Sequence, residues 1–539
     1  MAVEVSPAKL RGGFYSPQSL VRVCLDRVQS LLTTEGPIRL LEPSAGDGAF
    51  VAGIARHPLG ERVSWMTAIE IVDTEAGACR SVLANSELPG AVVEGSALAW
   101  ATATHEPYDA AVGNPPFVRF QFVDSSEATH TAVIGERTGV LFKGVSNLWL
   151  PILVSAVAAL RPGGAFAFIV PAECFTGVSG HHVREWIVDH VHELHVDLFP
   201  PGSFPGVLQE VVILSGRVLA EGDEPTRRLR MRKHGEYGMR EWTHQVMAEH
   251  KTWTRYLLTP ELVAQIESVL ALESVGLLGG VAKFEVATVT GANTYFCVAD
   301  RTLDEYDLRE WARPLLPRTR HAAGLIYTAE DHKLLAAHSH PAHLLDFAVS
   351  AADPLKREKP RSYLQLGEAQ ELHLRYKCSI RTPWYQVPVV APGVLMMAKR
   401  SHLFPRVVVN DAGVLTTDTI YRGRLLPETQ LTARAFAAAF HNSLTLLTAE
   451  IEGRSFGGGV LELVPSEISR LAIPHPEDMG DEFDRLDWVC RSAGGEESDG
   501  LIEETDRLVT KKTPGLTKSL MDDMREARDV LLNLRLARN

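Results

Sequence analysis

Several common features are missing from this chain of 539 residues, and each absence narrows the possible classes of protein. The six cysteines are scattered without a CxxC pair, which argues against a structural zinc site and favours a reducing compartment. No apolar run reaches the roughly 18 residues needed to span a bilayer. The first residues also lack the apolar core of a signal peptide. We therefore expect a cytoplasmic protein without a membrane-spanning segment.

Metal-binding patterns are also scarce. His338, His340 and His343 form the stretch HSHPAH, but no cluster of cysteines or carboxylates accompanies them in the sequence. Because a metal site normally combines such ligands, we interpret the stretch as a surface turn and expect no metal.

The length and composition predict a globular protein with more than one domain. Hydrophobic residues make up 45% and charged residues 22%, which is ordinary for a soluble globular chain. A chain of this length is too long for one hydrophobic core, so two or three domains are expected.

The pattern of elements changes along the chain. Up to about residue 220, short apolar strands alternate with helical stretches, as in a parallel α/β sheet. From about 231 to 475, strand-like pieces are broken by proline and glycine, and from about 480 the chain is charged and helical. We predict an α/β catalytic domain over 1–225, a mixed, mostly β domain over 226–478, and a helical C-terminal segment over 479–539.

Charge is unevenly distributed. The net charge is −13, and residues 1–220 carry 14 Lys+Arg against 22 Asp+Glu. Residues 311–430, in contrast, carry 16 Lys+Arg against 10 Asp+Glu. A basic segment in an acidic chain is where a polyanion would bind, although solvated basic surfaces are also common.

A glycine-containing loop over Glu42–Gly48 (EPSAGDG) lies between a predicted strand and a predicted helix. Glycines there let the backbone approach a ligand at the carboxyl end of the strand. The loop is neither GxGxxG nor a P-loop, and Glu42 disfavours a phosphate. Glu70 ends the next predicted strand, where a carboxylate can accept hydrogen bonds from ribose hydroxyls. A ligand with a ribose, a positive centre and no phosphate fits S-adenosylmethionine.

A stiff polar turn, Asn114-Pro115-Pro116-Phe117, follows the apolar strand YDAAVG at 108–113. An exocyclic amino nitrogen is a weak nucleophile, and acceptors aimed at its hydrogens can pull it toward tetrahedral geometry. The Asn114 amide and the Pro115 carbonyl can supply them, and Phe117 can stack on a base. Prolines keep the turn stiff. The turn therefore predicts methylation of an exocyclic or amide nitrogen.

Together these motifs resemble the gamma-class (Taq-type) DNA adenine-N6 methyltransferases of restriction–modification systems. GGFYSP at 12–17 looks like the N-terminal cofactor motif of that family, EPSAGDG its glycine loop, Glu70 its ribose acid, and NPPF its NPPY turn. The order of the motifs is that of the gamma class, and detailed agreement covers about residues 1–220. The resemblance implies a Rossmann-like S-adenosylmethionine-dependent domain followed by a target-recognition domain. The cofactor-binding residues that follow from the motifs and the resemblance are Tyr15, Ser16, Pro17, Glu42, Ser44, Ala45, Gly46, Gly48, Glu70, Ile71, Ser96 and Asn114.

The resemblance also implies that the target adenine is flipped out of the duplex and stacked between aromatic rings. Phe117 would be one contact and Phe204 the second, with Phe199 as a rival for that role. Two departures from the family pattern stand out. Phe117 replaces a commoner Tyr, and Gly95-Ser96 stands where the family usually has a GD pair.

A looser likeness extends to about residue 476, beginning with a TGxNxxF signature at Thr290–Phe296. Basic residues in this half are candidates for phosphate contacts in double-stranded DNA. They are Lys356, Arg357, Lys359, Arg361, Arg375, Lys377 and Arg381. Any cognate restriction endonuclease is expected to be a separate chain, with no direct contact required.

Other functions remain open at this point. An amino-methyltransferase acting on RNA or on a protein glutamine would share the catalytic turn. A non-catalytic DNA specificity protein could retain a relic cofactor fold. Cytosine N4 is the alternative nitrogen in DNA. Such enzymes, however, more often have Ser before the two prolines.

Overall fold

The computed structural model describes residues 16–103, 105–118, 124–142, 147–177, 180–200, 203, 211–235, 238–456, 458–476, 479–494 and 499–537. The chain forms two compact units, the first running to Pro260 and the second from Glu261 to Ala537. No described helix is both long enough and apolar enough to cross a membrane.

A nine-stranded sheet organises the first unit, with the strand order β3-β2-β1-β4-β5-β7-β6-β8-β9. Neighbours from β3 to β5 are parallel, whereas β7 is antiparallel to both β5 and β6. The order reverses between β1 and β4, which is where open α/β sheets bind ligands. The strands are β1 (Ile38–Glu42), β2 (Val63–Glu70), β3 (Gly90–Glu94), β4 (Tyr108–Gly113), β5 (Leu160–Pro171), β6 (Val191–Leu198), β7 (Val211–Val218), β8 (Arg228–Gly235) and β9 (Gly238–Gln245).

Helices flank the sheet. They are α1 (Gln18–Leu31), α2 (Ala49–Ala55), α3 (Asp73–Asn85), α4 (Ala97–Ala101), α5 (Ser125–Thr138), α6 (Trp149–Ala158) and α7 (His181–His190). Side chains of α1, α2 and α3 share one hydrophobic core with alternate residues of β1, β4 and β5. β4 and residues 164–171 of β5 are buried on both faces and are apolar apart from Asp109, as is typical of central strands in a sheet covered by helices. The predicted Rossmann-like α/β fold is confirmed.

The first unit extends beyond the predicted boundary at residue 225. Residues 219–227 lead through a turn into β8, which pairs in parallel with β6. Arg230 and Arg232 of β8 bind Glu193 and Glu241 at 2.9 and 2.8 Å, so their charges are neutralised inside the sheet. The compact unit therefore ends at Pro260, while the division of functions between the segments stays a prediction.

The second unit is a mixed α/β structure with several small sheets. A five-stranded sheet has the order β11-β19-β16-β18-β14, and the smaller sheets are β10-β22, β12-β15-β13 and β17-β21-β20. The strands are β10 (Val275–Leu277), β11 (Ala282–Glu285), β12 (Cys297–Val298), β13 (Ala312–Pro314), β14 (Ile326–Tyr327), β15 (His343–Leu345), β16 (Leu395–Ala398), β17 (Arg400–Ser401), β18 (Val407–Asn410), β19 (Ile420–Leu425), β20 (Arg454–Phe456), β21 (Val460–Glu462) and β22 (Ala472–Pro474).

Helices of the second unit include the predicted helical C-terminal segment. They are α8 (Pro260–Leu270), α9 (Asn293–Phe296), α10 (Asp300–Tyr306), α11 (Ala329–Ala337), α12 (Glu358–Ala369), α13 (Tyr376–Ser379), α14 (Ala433–Phe440), α15 (Ser443–Glu452), α16 (Pro465–Ile468), α17 (Phe483–Ser492), α18 (Asp499–Lys512) and α19 (Lys518–Leu536). The last three helices belong to the same compact unit as the sheets rather than forming a separate tail.

A buried ion pair fastens α19 to α15. The Arg535 and Glu450 side chains are 3% and 5% exposed, and the guanidinium binds both carboxylate oxygens at 2.8 and 2.6 Å. Arg535 also donates to the carbonyls of His402, Leu403 and Gly459. Nearly every polar atom of this pair is therefore satisfied, which is the condition for a buried ion pair to hold helices together.

Replacing Arg535 with alanine should destabilise the second unit by about 3–5 kcal/mol, because the Glu450 carboxylate would stay buried without its partner. Chemical unfolding followed by circular dichroism measures this. Lys333→Ala is the control, because Lys333 forms an exposed pair with Glu330 and its loss should cost less than about 1 kcal/mol. Equal shifts for the two variants would contradict the structural role of Arg535.

Candidate active site

The loop after β1 is held by the carboxylate at the end of β2. The Gly46 N–H donates to Glu70 Oε2 at 2.8 Å, and the Val72 N–H donates to Glu70 Oε1 at 2.8 Å. The Ala45 N–H also donates to the Ile69 carbonyl at 2.8 Å. Glu70 therefore fixes the glycine loop against the second strand. A carboxylate has about four lone-pair positions, so each oxygen can still accept a ligand hydroxyl.

Two positions of this loop are occupied by glycine for different structural reasons. Gly46 has a φ of +54°, and a Cβ there would meet nothing within 4 Å, so its backbone borders open space. Gly48 has a φ of +94°, and a Cβ there would lie 3.2 Å from the Cα of Cys79 and from the Cβ of Val82. The first glycine thus leaves room for a ligand, and the second lets α3 pack closely on the loop.

Glu42 is the most unusual group of the site. It is 0% exposed, and neither of its carboxylate oxygens has a hydrogen-bond partner among the described residues; the buried Ser44 hydroxyl also lacks one. Burial, followed by the charges of Glu70 and Asp47, raises the pKa of Glu42 well above its usual range. A buried carboxylate without a donor fits a ligand that brings a positive charge. The residues present therefore fit S-adenosylmethionine.

The Asn114 turn lies beside this loop because β4 is the parallel neighbour of β1, with Leu40 paired to Ala110 and Leu41 to Ala111. The carboxyl ends of both strands consequently meet at one edge of the sheet. Asn114 Nδ2 donates to the Ser16 hydroxyl at 3.2 Å. Pro115 is buried, and Pro116 and Phe117 are half-buried. The structure thus brings the predicted catalytic turn, the glycine loop and Ser16 of the N-terminal motif together.

The remaining cofactor candidates differ in their surroundings. Ile71 follows Glu70 and is 62% exposed, so an apolar surface lies next to the carboxylate that is predicted to bind the ribose. The Ser96 hydroxyl accepts the Leu98 and Ala99 N–H groups at 3.2 Å and so caps α4. Pro17 immediately precedes α1. Tyr15 lies outside the described residues.

Phe204 and Phe199 are the two candidates for the second aromatic contact with the target base. Phe204 lies outside the described residues. Its rival Phe199 packs against the core cluster of the first unit and stacks on His234, with ring centroids 4.8 Å apart.

Asp109 was not assigned by the sequence analysis, although a charged residue inside the apolar run YDAAVG is a signal for a structural role. It is buried at the start of β4, accepts the Arg39 N–H at 2.8 Å and pairs with Arg161. Because Arg39 lies on β1 and Arg161 on β5, Asp109 fixes β4 between its two neighbouring strands.

The predicted DNA-binding residues of the second unit fall into two groups. Arg357 pairs with Asp307 and Glu310 and lies over the Trp311 ring, and Arg381 donates to the carbonyls of Val289 and Thr290. Arg357 and Arg381 would have to give up these internal partners in order to contact phosphates. The others are exposed: Lys356, Lys359, Arg361, Arg375 and Lys377. Within the described part of the chain no group of His, Cys, Asp and Glu residues has the arrangement of a metal site.

Replacing Glu42 with glutamine should have opposite effects on stability and on cofactor binding. The raised pKa means that Glu42 opposes folding increasingly as pH rises above its ordinary value of 4.5, so the ligand-free variant should unfold at a higher temperature than the wild type at pH 8. This difference should shrink toward pH 4.5. Binding of S-adenosylmethionine, measured by calorimetry, should weaken about 10- to 100-fold because a charge-assisted contact is lost.

Glu106→Gln serves as the control, because Glu106 is exposed and pairs with Arg39 on the surface. Its cofactor affinity should match that of the wild type. Unchanged affinity in Glu42→Gln would show that the buried carboxylate does not face the positive centre of the cofactor.

Two protein families match separate parts of the chain. The C-terminal domain of the type II methyltransferase M.Eco57I matches residues 250–510. The Eco57I restriction-modification methylase family matches residues 83–200, which include the Asn114 turn. The first match covers most of the second compact unit, and the second covers the part of the first unit that contains β4 and the Asn114 turn.

Curated relatives align with the chain over most of their length. The type II methyltransferase M.XamI of Xanthomonas campestris pv. amaranthicola is 23% identical over 503 residues, which are 87% of this chain and 86% of the relative. The type II methyltransferase M.AccI of Acinetobacter calcoaceticus is 19% identical over 426 residues, which are 75% of this chain and 77% of the relative.

Solved structures share the fold at low sequence identity. The type IIL restriction-modification enzyme MmeI, in complex with DNA, has a TM-score of 0.52 and 11% identity over 96% of this chain and 72% of its own. The ATP-dependent type ISP enzyme LlaBIII, bound to DNA, has a TM-score of 0.50 and 10% identity over 89% of this chain and 39% of its own. The two family matches reach into both compact units, and together with the type II methyltransferase relatives they support a DNA methyltransferase of a restriction–modification system that uses S-adenosylmethionine.

Proposed function

We propose that this enzyme methylates N6 of adenine at a specific site in double-stranded DNA and so protects host DNA in a restriction–modification system. The observation that carries the proposal is the position of Asn114-Pro115-Pro116-Phe117 at the carboxyl end of β4, next to the loop after β1. An Asn before the two prolines favours adenine over cytosine.

The chemistry follows from groups of the turn. Bound S-adenosylmethionine supplies an electrophilic methyl group. Asn114 Oδ1 and the Pro115 carbonyl accept hydrogen bonds from the target amino group and so make its lone pair available. The nitrogen would bond to the methyl carbon as the carbon–sulfur bond breaks, and it would then release one proton to solvent. Proline has no N–H that would compete for these acceptors. Phe117 stacks on the flipped base, with Phe204 proposed as the second aromatic contact.

Ser16 orients the catalytic amide. Because Asn114 Nδ2 donates to the Ser16 hydroxyl at 3.2 Å, Asn114 Oδ1 is kept on the other side of the amide. Ser16 thereby acts as a positioning residue in addition to its proposed place in the cofactor motif. The cofactor would further be held by Tyr15, Pro17, Glu42, Ser44, Ala45, Gly46, Gly48, Glu70, Ile71 and Ser96.

The second unit is proposed as the target-recognition domain. Its exposed basic residues, Lys356, Lys359, Arg361, Arg375 and Lys377, would contact phosphates and make binding strongly salt-dependent. A cognate endonuclease would be a separate chain that cleaves the same site when it is unmethylated.

The first test compares the wild type with Asn114→Ala. Each is incubated with methyl-labelled S-adenosylmethionine and unmethylated genomic DNA, and the DNA is digested to nucleosides. We expect label in N6-methyldeoxyadenosine and a loss of at least about 100-fold in the variant, since removing one preorganised hydrogen-bonding group from an active site costs about 10²–10³ in kcat. Asn85→Ala, at the exposed end of α3, should be as active as the wild type.

Other outcomes separate the alternatives. Label in N4-methylcytosine would retain the mechanism and change the base. Label only in RNA or protein from the same lysate would identify an amino-methyltransferase with another substrate. No label in any of these would point to a non-catalytic DNA specificity protein.

Ser16→Ala should lower kcat about 5- to 10-fold, because one hydrogen bond that orients Asn114 is worth about 1 kcal/mol. Ser16→Thr keeps the hydroxyl and should restore most of the rate. Ser30→Ala, which removes an exposed hydroxyl of α1, is the matched control. If Ser16→Ala changed only the KM for the cofactor, the hydroxyl would serve binding rather than orientation.

A further inference from the structure

Three large apolar side chains are exposed within one short segment of the second unit, Leu372–Arg381. Leu374, Tyr376 and Ile380 are 63%, 73% and 65% exposed. Single exposed apolar residues are normal on a protein surface, whereas a group of three suggests a contact surface.

The segment is fixed at its base, so this exposure does not come from a loosely attached loop. Leu372 and Cys378 are buried in the hydrophobic core that also contains Tyr295 and Phe296. Two buried residues therefore anchor the segment, and the residues between them, 374–377, are exposed.

A second anchor joins the segment to the TGxNxxF signature. The Arg381 guanidinium donates to the Val289 and Thr290 carbonyls, each at 2.8 Å. A Cβ on Gly291 would lie 2.8 Å from the Cβ of Lys377, so only glycine allows this close approach. The segment Leu372–Arg381 therefore packs directly on the TGxNxxF signature.

The charge of the segment indicates what it contacts. Leu372–Arg381 contains Arg375, Lys377 and Arg381 and no Asp or Glu, although Glu371 immediately precedes it. Arg375 and Lys377 are exposed beside the apolar side chains, and Lys377 Nζ lies 5.4 Å from the centre of the Tyr376 ring. Apolar side chains mixed with cations suit a partner that offers both base faces and phosphates.

We propose that Leu372–Arg381 is a DNA wedge, in which Leu374, Tyr376 and Ile380 pack on bases at an opened step of the duplex while Arg375 and Lys377 contact the flanking phosphates. This rests on the proposed function, since flipping a base leaves unstacked neighbours that an apolar surface can cover. The wedge would stabilise the opened duplex and would contribute to rate as well as to affinity.

The test uses the full chain and three variants. Tyr376→Ala and the triple variant Leu374→Ser, Tyr376→Ser, Ile380→Ser remove the apolar surface, and Trp488→Ala removes an aromatic residue of α17 that is 68% exposed. Methylation of unmethylated genomic DNA should fall about 10-fold in kcat/KM for Tyr376→Ala and more for the triple variant. Trp488→Ala should stay within about twofold of the wild type, since isolated surface substitutions have small effects.

Cofactor affinity and melting temperature are measured for the same proteins, and both should be unchanged in Tyr376→Ala. The salt dependence of DNA binding supplies a separate readout. The double variant Arg375→Gln, Lys377→Gln should reduce the slope of log K against log salt by about 2, whereas Tyr376→Ala should leave it unchanged.

The outcomes distinguish this inference from the function on which it depends. If the wild type methylates DNA and the apolar variants do so at the same rate, the wedge is excluded and the proposed function stands. Loss of binding to a second protein, with methylation intact, would equally exclude it and assign the surface to a protein partner. If the wild type does not modify DNA, both fail together.

Discussion

The meeting of the carboxyl ends of β1, β2 and β4 at one edge of the sheet is the constraint on which the site depends. Glu70 converts this arrangement into a defined loop, because its two carboxylate oxygens accept N–H groups of Gly46 and Val72 on either side. Asp109 likewise fixes the position of β4 by binding the Arg39 N–H and the Arg161 side chain. Two carboxylates therefore set the relative positions of the strands that carry the cofactor loop and the Asn114 turn.

Glu42, in contrast, is a buried carboxylate that holds no other described part of the site in place. Whereas Glu70 and Asp109 have backbone or guanidinium donors, the Glu42 oxygens have none among the described residues, and burial raises the pKa of Glu42. Such a group destabilises the ligand-free protein at neutral pH, and it is retained at a place where a positive ligand would supply the missing partner. For this reason we propose Glu42 as the contact for the positive centre of the cofactor.

The sequence predicted the strands of the first unit as far as β7, because most of them are short runs rich in apolar residues, separated by stretches that contain glycine or proline. It did not reveal β8, RLRMRKHG, which lies in the part of the sequence where the regular alternation of strands and helices is lost. Arg230 and Arg232 are neutralised by Glu193 and Glu241, on strands other than their own, and local pattern cannot show such pairing. The roles assigned to Asn114 and Glu42 rest on motif spacing and geometry, while Phe204 and Tyr15 lie outside the described residues.

The same limit applies to the second unit, where most strands have two to four residues and the partners are far apart in sequence. The TGxNxxF signature was recognised as a motif, but its physical purpose depends on Arg381 and Lys377, which follow some ninety residues later. In the fold, Gly291 is required because a side chain there would clash with Lys377. Arg381 anchors the segment Leu372–Arg381, whereas Arg375 and Lys377 face solvent. A count of charges in the sequence treats these three basic residues as equivalent. Only the fold shows that one of them stabilises the segment and that the other two are exposed to a binding partner.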